Sequence, residues 1–325
     1  MKIVINSSLL EIRTWPKPGN VHKTHNFPTT TYEDFLQVAY KSSSMWKSLL
    51  IATKKQKLPP STLYVEFLDQ AVKQMMRVQN GGNVLLGHYL LMIPLFISAV
   101  TCSYISSPES VFWDLCRNLI NESSPRDTIV LYRALQIAQP GGMGSRKKYD
   151  IYQKNYQVDL INDQVNLAKI FDLSKTYDGI SMELASNYSF IRELVLPKFK
   201  EYIDEYEQLD RLFPSYFFNN IIREDVVEMS EELNELLLRV FLFILSNRND
   251  TLISRKTDLD HSKIISDSAR NIIEKYHVLS KHEWMSLVKD FDNDLHKADG
   301  KLNPGTTADL LAASIFCFLI KTRLF

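Results

Sequence analysis

Residues 84–105 read VLLGHYLLMIPLFISAVTCSYI, and no Asp, Glu, Lys or Arg occurs between Arg77 and Glu109. A run of this length can cross a bilayer or form the fully buried central helix of a large helical domain. Two features favour the second. Gly87, His88, Pro94 and Ser98 interrupt the apolar surface, and neither flank carries the basic cluster that would orient a membrane span. The stretch is therefore read as a core helix, and no membrane association is expected.

Outward from it, helical spacing recurs and period-two alternation is nearly absent, which predicts an all-α fold. Thr31 caps a helix from about Tyr32 to Lys54, with Phe35, Leu36, Ala39 and Met45 on one stripe, and Pro59-Pro60 ends it. A second helix spans about Thr62 to Val78 and stops at Asn80-Gly81-Gly82-Asn83. Asp127 to Ala138 is a helix closed by Pro140-Gly141-Gly142-Met143-Gly144. Phe199, Tyr202, Ile203, Tyr206 and Leu209 form an amphipathic stripe, and Val226 to Leu245 has a Glu-rich start and an apolar second half. Asp258 caps a further helix, and the last one ends with Lys321 and Arg323. With no linker or internal repeat, residues 1–325 are read as a single large multi-helix domain around a buried central helix.

The chain is 45% hydrophobic and 23% charged with a formal net charge of zero, which removes any general electrostatic case for nucleic acid or anionic lipid. Cys102, Cys116 and Cys317 lack metal-ligand spacing and are odd in number, arguing against a disulfide framework. Residues 1–10 show no secretory h-region. A cytoplasmic setting is expected, and a homodimer is compatible with the sequence.

Chemistry concentrates in a few segments. Pro16-Lys17-Pro18-Gly19-Asn20-Val21-His22 is a stiff turn, in which Gly19 permits close approach and Lys17 offers a point charge to phosphate; Glu33 and Asp34 stand nearby. The same turn is equally readable as rigid surface structure. Asn83 and Gly87 open the uncharged helix, as substrate contact and close-packing position or as ordinary cap and packing residue. Asp178 opens a helix ahead of Glu183, five residues on, a spacing that does not imply a tight carboxylate pair. Asp250-Thr251 with Arg255-Lys256 puts a carboxylate, a hydroxyl and two cations in one short connection, suited to Mg²⁺ and phosphate. Thr306 and Asp309 match a capping box, leaving Asn303, Gly305 and Thr307 for an anion at a helix N-terminus. Asp290, Asp292 and Asp294 mimic a calcium loop, but Leu295 and Lys301 stand where its Gly and Glu belong. His22 and His25 suggest metal ligation, yet no further cluster completes a site along the sequence.

In order, residues 16–22, Tyr32-Glu33-Asp34-Phe35, Asn83 to Gly87, Asp250-Thr251 with Arg255-Lys256, and Asn303 to Ala312 resemble the motif series of the triphosphoribosyl-dephospho-CoA synthase family, in its archaeal-type branch. The resemblance implies an all-helical enzyme that joins ATP to 3′-dephospho-CoA, releases adenine and keeps the triphosphate. It also implies Mg²⁺, with Asp250 and Asp309 as metal-binding or catalytic carboxylates and Asp34 or Glu33 as a further one. Lys17, Arg255 and Lys256 would meet phosphate, while Asn83, Asn303 and Thr306 would orient the nucleotide. Gly19, Asn20, His22, Gly87, Asp178, Thr251 and Gly305 complete the expected contacts. The bacterial Asn-Thr-His-Lys-Gly is here Asn83-Val84-Leu85-Leu86-Gly87. Two alternatives stay open: a related enzyme with another nucleotide or phosphorylated acceptor, and a non-catalytic helical binding protein.

Overall fold

The computed structural model describes residues 1–79, 82–105, 107–206 and 229–324. Among these the chain is helical with no strand; two isolated bridges, His22 with His25 and Phe27 with Thr30, are its nearest approach to one.

The uncharged stretch forms α5 (Leu86–Ile105), after α1 (Lys2–Arg13), α2 (Tyr32–Lys41), α3 (Ser43–Lys55) and α4 (Pro60–Val78). Leu91, Met92, Ile93 and Leu95, on every side of α5, are all fully buried, and 89% of the window Leu86–Ser103 lies inside the protein. A helix apolar all round needs partners all round. They are α1, α3, α4, α6 (Glu109–Asn121), α10 (Gly179–Ala185) and the last helix, α16 (Gly305–Leu324), itself buried from Thr306 to Leu311 without a gap except at Asp309. One apolar cluster joins residues from Val4 to Ile320.

Between these run α7 (Pro125–Ala138), α8 (Tyr156–Asn162), α9 (Leu167–Ser174) and α11 (Leu196–Asp204), the last entered through a π-helical turn at Ile191–Val195. Then come α12 (Glu231–Asn247), α13 (Thr251–Lys256), α14 (Leu259–Glu274) and α15 (Lys281–His296). A smaller cluster of Tyr132, Tyr149, Ile151, Tyr156, Leu160 and Val165 pins the long connection after α7, helped by Tyr132 Oη donating to Tyr149 O at 2.8 Å.

Several sequence expectations hold. Thr31 and Asp34 form a capping box on α2, and Asn83, Asp178 and Asp258 accept backbone N–H groups at the starts of α5, α10 and α14. Others shift. The helix expected over 32–54 breaks at Ser42, whose hydroxyl donates to Ala39 O at 2.6 Å; a run of three serines offers the backbone such local alternatives. Helix α1 was not foreseen, because its buried face carries Asn6, Ser7, Ser8 and Glu11 among the aliphatics. Leu209 and residues 226–228 lie outside the described residues, and so do Asn80 and Gly81.

Candidate active site

The N-termini of the two longest buried helices, α5 and α16, meet beside those of the short α10 and α13. The meeting is held by side chains that bridge segments. Asp250 caps α13 through Oδ1, accepting from Leu252 N at 2.9 Å and Ile253 N at 3.3 Å. Its Oδ2 accepts from Thr307 N at 2.7 Å and Thr307 Oγ1 at 2.8 Å, so the same carboxylate caps α16. Thr251 Oγ1 accepts from Gly179 N at 2.9 Å and lies 3.2 Å from Thr306 Oγ1, joining α10 to both.

Around this junction opens a cavity of about 890 Å³, the size of a nucleotide pocket with room to spare. Its floor is a buried ionic cluster. Glu11 pairs with Lys17, whose ammonium also donates to Glu11 O at 3.1 Å. His88 Nε2 lies 3.4 Å from Glu11 Oε2 and 3.7 Å from Asp309 Oδ1, while its Nδ1 lies 3.1 Å from Ser8 Oγ. Burial pushes the Glu11 carboxyl up, but Lys17 and His88 outweigh it and hold the net shift downward. Asp309 moves the other way: desolvation, then the negative charges of Glu11, Asp250 and Asp178, raise its carboxyl well above the usual range despite Lys17. Among the described residues neither Asp309 oxygen has a hydrogen-bond donor, and its side chain is 20% exposed, toward the cavity it lines.

The rim is basic. Arg255 pairs with Asp178 and Lys256 donates to Gly300 O at 3.0 Å, burial lowering the Lys256 pKa. Beside them the Gly-rich loop delivers Arg146, Lys147 and Lys148 to the cavity, all exposed. The Arg146 guanidinium sits 3.9 Å from the Tyr177 ring centroid, and Lys148 pairs with Asp163 at 2.8 Å. Gly142, at φ +74°, brings this loop onto α13: a Cβ there would stand 2.6 Å from Arg255 Cβ. Among the described residues Arg255 Nε and Asn303 Oδ1 are buried without a hydrogen-bond partner, and both residues line the cavity. Val84, Leu86, Leu90, Leu131 and Phe171 supply an apolar wall.

Of the residues singled out in the sequence, the cavity collects Lys17, Asn20, Asn83, Gly87, Asp178, Arg255, Lys256, Asn303, Gly305, Thr306 and Asp309. It does not include Asp250, Thr251, Gly19, His22, Glu33 or Asp34 in its lining. Asp250 spends all four lone-pair directions on the two caps, leaving none for a metal. Asp34 closes the capping box of α2, and Glu33 lies in its first turn. The close approach at Gly19 is by Leu295 and the Leu302 carbonyl, and Gly19 N donates to Asp292. His22 is likewise held by Asp292. The expected capping box of Thr306 with Asp309 is replaced by Asp250, which frees Asp309. Lys17 is a neutralised floor residue, its ammonium already committed to Glu11. Glu183 serves Arg248 at 2.7 Å, and so makes no pair with Asp178.

Sequence reading missed Glu11, His88, Arg146, Lys147 and Lys148. Glu11 is the one charge inside an otherwise uncharged run from Ile3 to Ile12, and His88 is the one titratable imidazole in the uncharged helix. The basic run follows directly on the Gly-rich loop.

Comparison with known proteins bears on this geometry. Two segments, residues 1–217 and 213–324, match the family model described as ATP:dephospho-CoA triphosphoribosyl transferase. A solved structure described as a triphosphoribosyl-dephospho-CoA synthase from Archaeoglobus fulgidus is similar at TM-score 0.58 and 17% identity, over 87% of this chain and 98% of that one; at that identity the likeness speaks for the fold. A comparison with curated proteins finds no match.

Proposed function

The chain belongs to the ATP:dephospho-CoA triphosphoribosyl transferase family, and from that premise we propose that the cavity is where an acceptor hydroxyl displaces adenine from the ribose C1′ of ATP. The chain is accordingly a transferase, with 3′-dephospho-CoA as the proposed acceptor. The observation that carries the assignment of residues is the polarity of the cavity: an uncommitted carboxylate on the floor, and a rim of five cations.

The triphosphate would lie at the rim, against Arg146, Lys147, Arg255 and Lys256 and toward the positive ends of α5 and α16. The buried Arg255 Nε and Asn303 Oδ1 offer a donor and an acceptor for a ligand to satisfy. The apolar wall suits the flat and aliphatic parts of the substrates. At the floor, Asp309 takes the proton of the acceptor 2′-hydroxyl as its oxygen bonds to C1′. The C1′–N9 bond breaks, its electron pair leaves with adenine, and the positive charge building at C1′ faces the carboxylates. Once ionised, a carboxyl with a raised pKa is the stronger base, and Asp309 is assigned to proton transfer.

Mg²⁺ fits elsewhere in the same cavity. Asp178 Oδ2 accepts from Ser181 N and Oγ and its Oδ1 from Arg255, which leaves one Oδ1 lone pair beside the basic rim. Asp178 would hold the ion together with phosphate oxygens, and the ion would neutralise triphosphate charge. A cytoplasmic setting agrees with three free, buried cysteines, and a homodimer belongs to the same reading.

The test is adenine release by the purified chain given ATP, Mg²⁺ and 3′-dephospho-CoA. Release that requires all three and is lost in Asp309→Asn supports the assignment. A folded chain that binds ATP but releases no adenine would exclude this acceptor.

A further inference from the structure

Outside the cavity the rings of His22, His25 and His296 come together, and we propose that they form a binding site for a transition-metal cation of the zinc class. One ligand-capable nitrogen or equivalent atom from each lies within 4.8 Å of the others. The sequence shows only the first two; the third arrives from the last residue of α15.

The local structure prepares these imidazoles as ligands. His22 and His25 exchange backbone hydrogen bonds, His22 N to His25 O at 3.0 Å and His25 N to His22 O at 2.9 Å, so one tight turn fixes both. One carboxylate orients the other pairing: Asp292 Oδ2 lies 2.9 Å from His22 Nε2, and Asp292 Oδ1 and O lie 3.2 Å and 3.0 Å from His296 Nδ1. Those acceptors place the ring protons on His22 Nε2 and His296 Nδ1. The lone pairs are then on His22 Nδ1, which accepts weakly from Thr24 N at 3.4 Å and lies 3.2 Å from Thr24 Oγ1, and on His296 Nε2.

A second, independent observation concerns His296. Its side chain is 4% exposed, and its Nε2 is buried without a well-formed hydrogen bond among the described residues, the Asn20 backbone lying beside the ring. Its ring packs on His25 with centroids 3.7 Å apart. A buried imidazole nitrogen without a well-formed hydrogen bond is costly, and a cation that takes its lone pair removes that cost. An imidazole whose far N–H is held by a carboxylate is the usual state of a metal-bound histidine. Three nitrogen donors suit zinc and its neighbours rather than Mg²⁺ or Ca²⁺. Asp292 is spent on orientation and on Gly19 N at 2.9 Å, so the fourth position falls to water. Bound metal would clamp the 16–25 turn, whose Lys17 reaches the cavity floor, onto α15 without entering the cavity.

The experiment titrates Zn²⁺ into metal-free full-length protein by calorimetry, follows Tm, and uses Co²⁺ as a spectroscopic probe. One Zn²⁺ per chain, a raised Tm and the visible absorption of tetrahedral Co²⁺ are expected. His25 is half-exposed and absent from the cavity lining, so metal-free His25→Ala and His25→Gln should keep the wild-type circular dichroism. Both should bind Zn²⁺ more than about 100-fold more weakly, exceeding the loss from removing a group that merely supports a ligand. The exposed His277→Ala should bind as wild type. A chain that takes up no Zn²⁺, or His25 variants that bind it as tightly as wild type, would overturn the proposal.

Discussion

Gly87 and Asp309 share one space: a methyl group on Gly87 would overlap Cγ, Oδ1 and Oδ2 of the Asp309 carboxylate. Two helix starts far apart in sequence are thereby fitted to each other, and the carboxylate is seated at the floor by the absence of a side chain opposite it.

Gly87→Ala should therefore damage catalysis more than folding. The Asp309 carboxylate can turn into the cavity, so the stability cost stays near the low end of overpacking, about 1 kcal/mol. Displacing the reacting group by about 1 Å should lower adenine release by about 100-fold. A thermal melt beside the assay distinguishes the two; equal losses in both would contradict the placement of Asp309.

Asp309→Asn removes the proposed base and should lower kcat by about 10²–10⁴-fold. Stability should respond in the opposite sense. A carboxyl raised by folding binds its proton more tightly in the native chain, so its stabilising contribution is complete below the unfolded pKa and disappears as pH rises through the folded one. The wild-type Tm should fall relative to Asp309→Asn as pH climbs from about 4 upward. A difference in Tm that is independent of pH would sink this reading.

Asp250→Ala is expected to behave as a structural variant. It removes caps from α13 and α16 at once, each worth about 0.5–2 kcal/mol, so unfolding should ease by about 1–4 kcal/mol. At a temperature where the variant remains folded, ATP affinity should stay close to wild type. Loss of ATP binding from fully folded Asp250→Ala would show a direct role that its four hydrogen bonds do not suggest.

Arg146→Gln tests the basic rim. A hydrogen bond to a charged group is worth about 1.5–3 kcal/mol, so KM for ATP should rise by about tenfold or more with kcat little changed. The wild-type KM should also rise with salt, and less steeply in the variant. An unchanged KM would move the triphosphate away from this loop.

Much of the fold was legible because its signals are local. Thr31, Asn83, Asp178 and Asp258 cap where their residue type says they should, and the run from Val84 to Val100 is buried as its lack of charge requires. The site was legible only by segment. Gly19 and His22 sit in a marked turn, but what they meet is Asp292 on α15, and no spacing in the sequence announces that. Asp250 looked catalytic because a carboxylate beside two cations is read as chemistry, when its partner is Thr307, 57 residues on. Glu11 escaped notice because a single charge in an apolar helix reads as a surface residue until its partner, Lys17, is seen buried with it.

The two caps made by Asp250 also have a kinetic side. Since a single carboxylate closes the first turns of α13 and α16, neither turn can fray without releasing the other's amide. The protons on Leu252 N, Ile253 N and Thr307 N should then exchange with solvent at one common rate, as a single opening unit. The wall of the cavity would breathe as one piece, and whatever binds there would slow all three amides together.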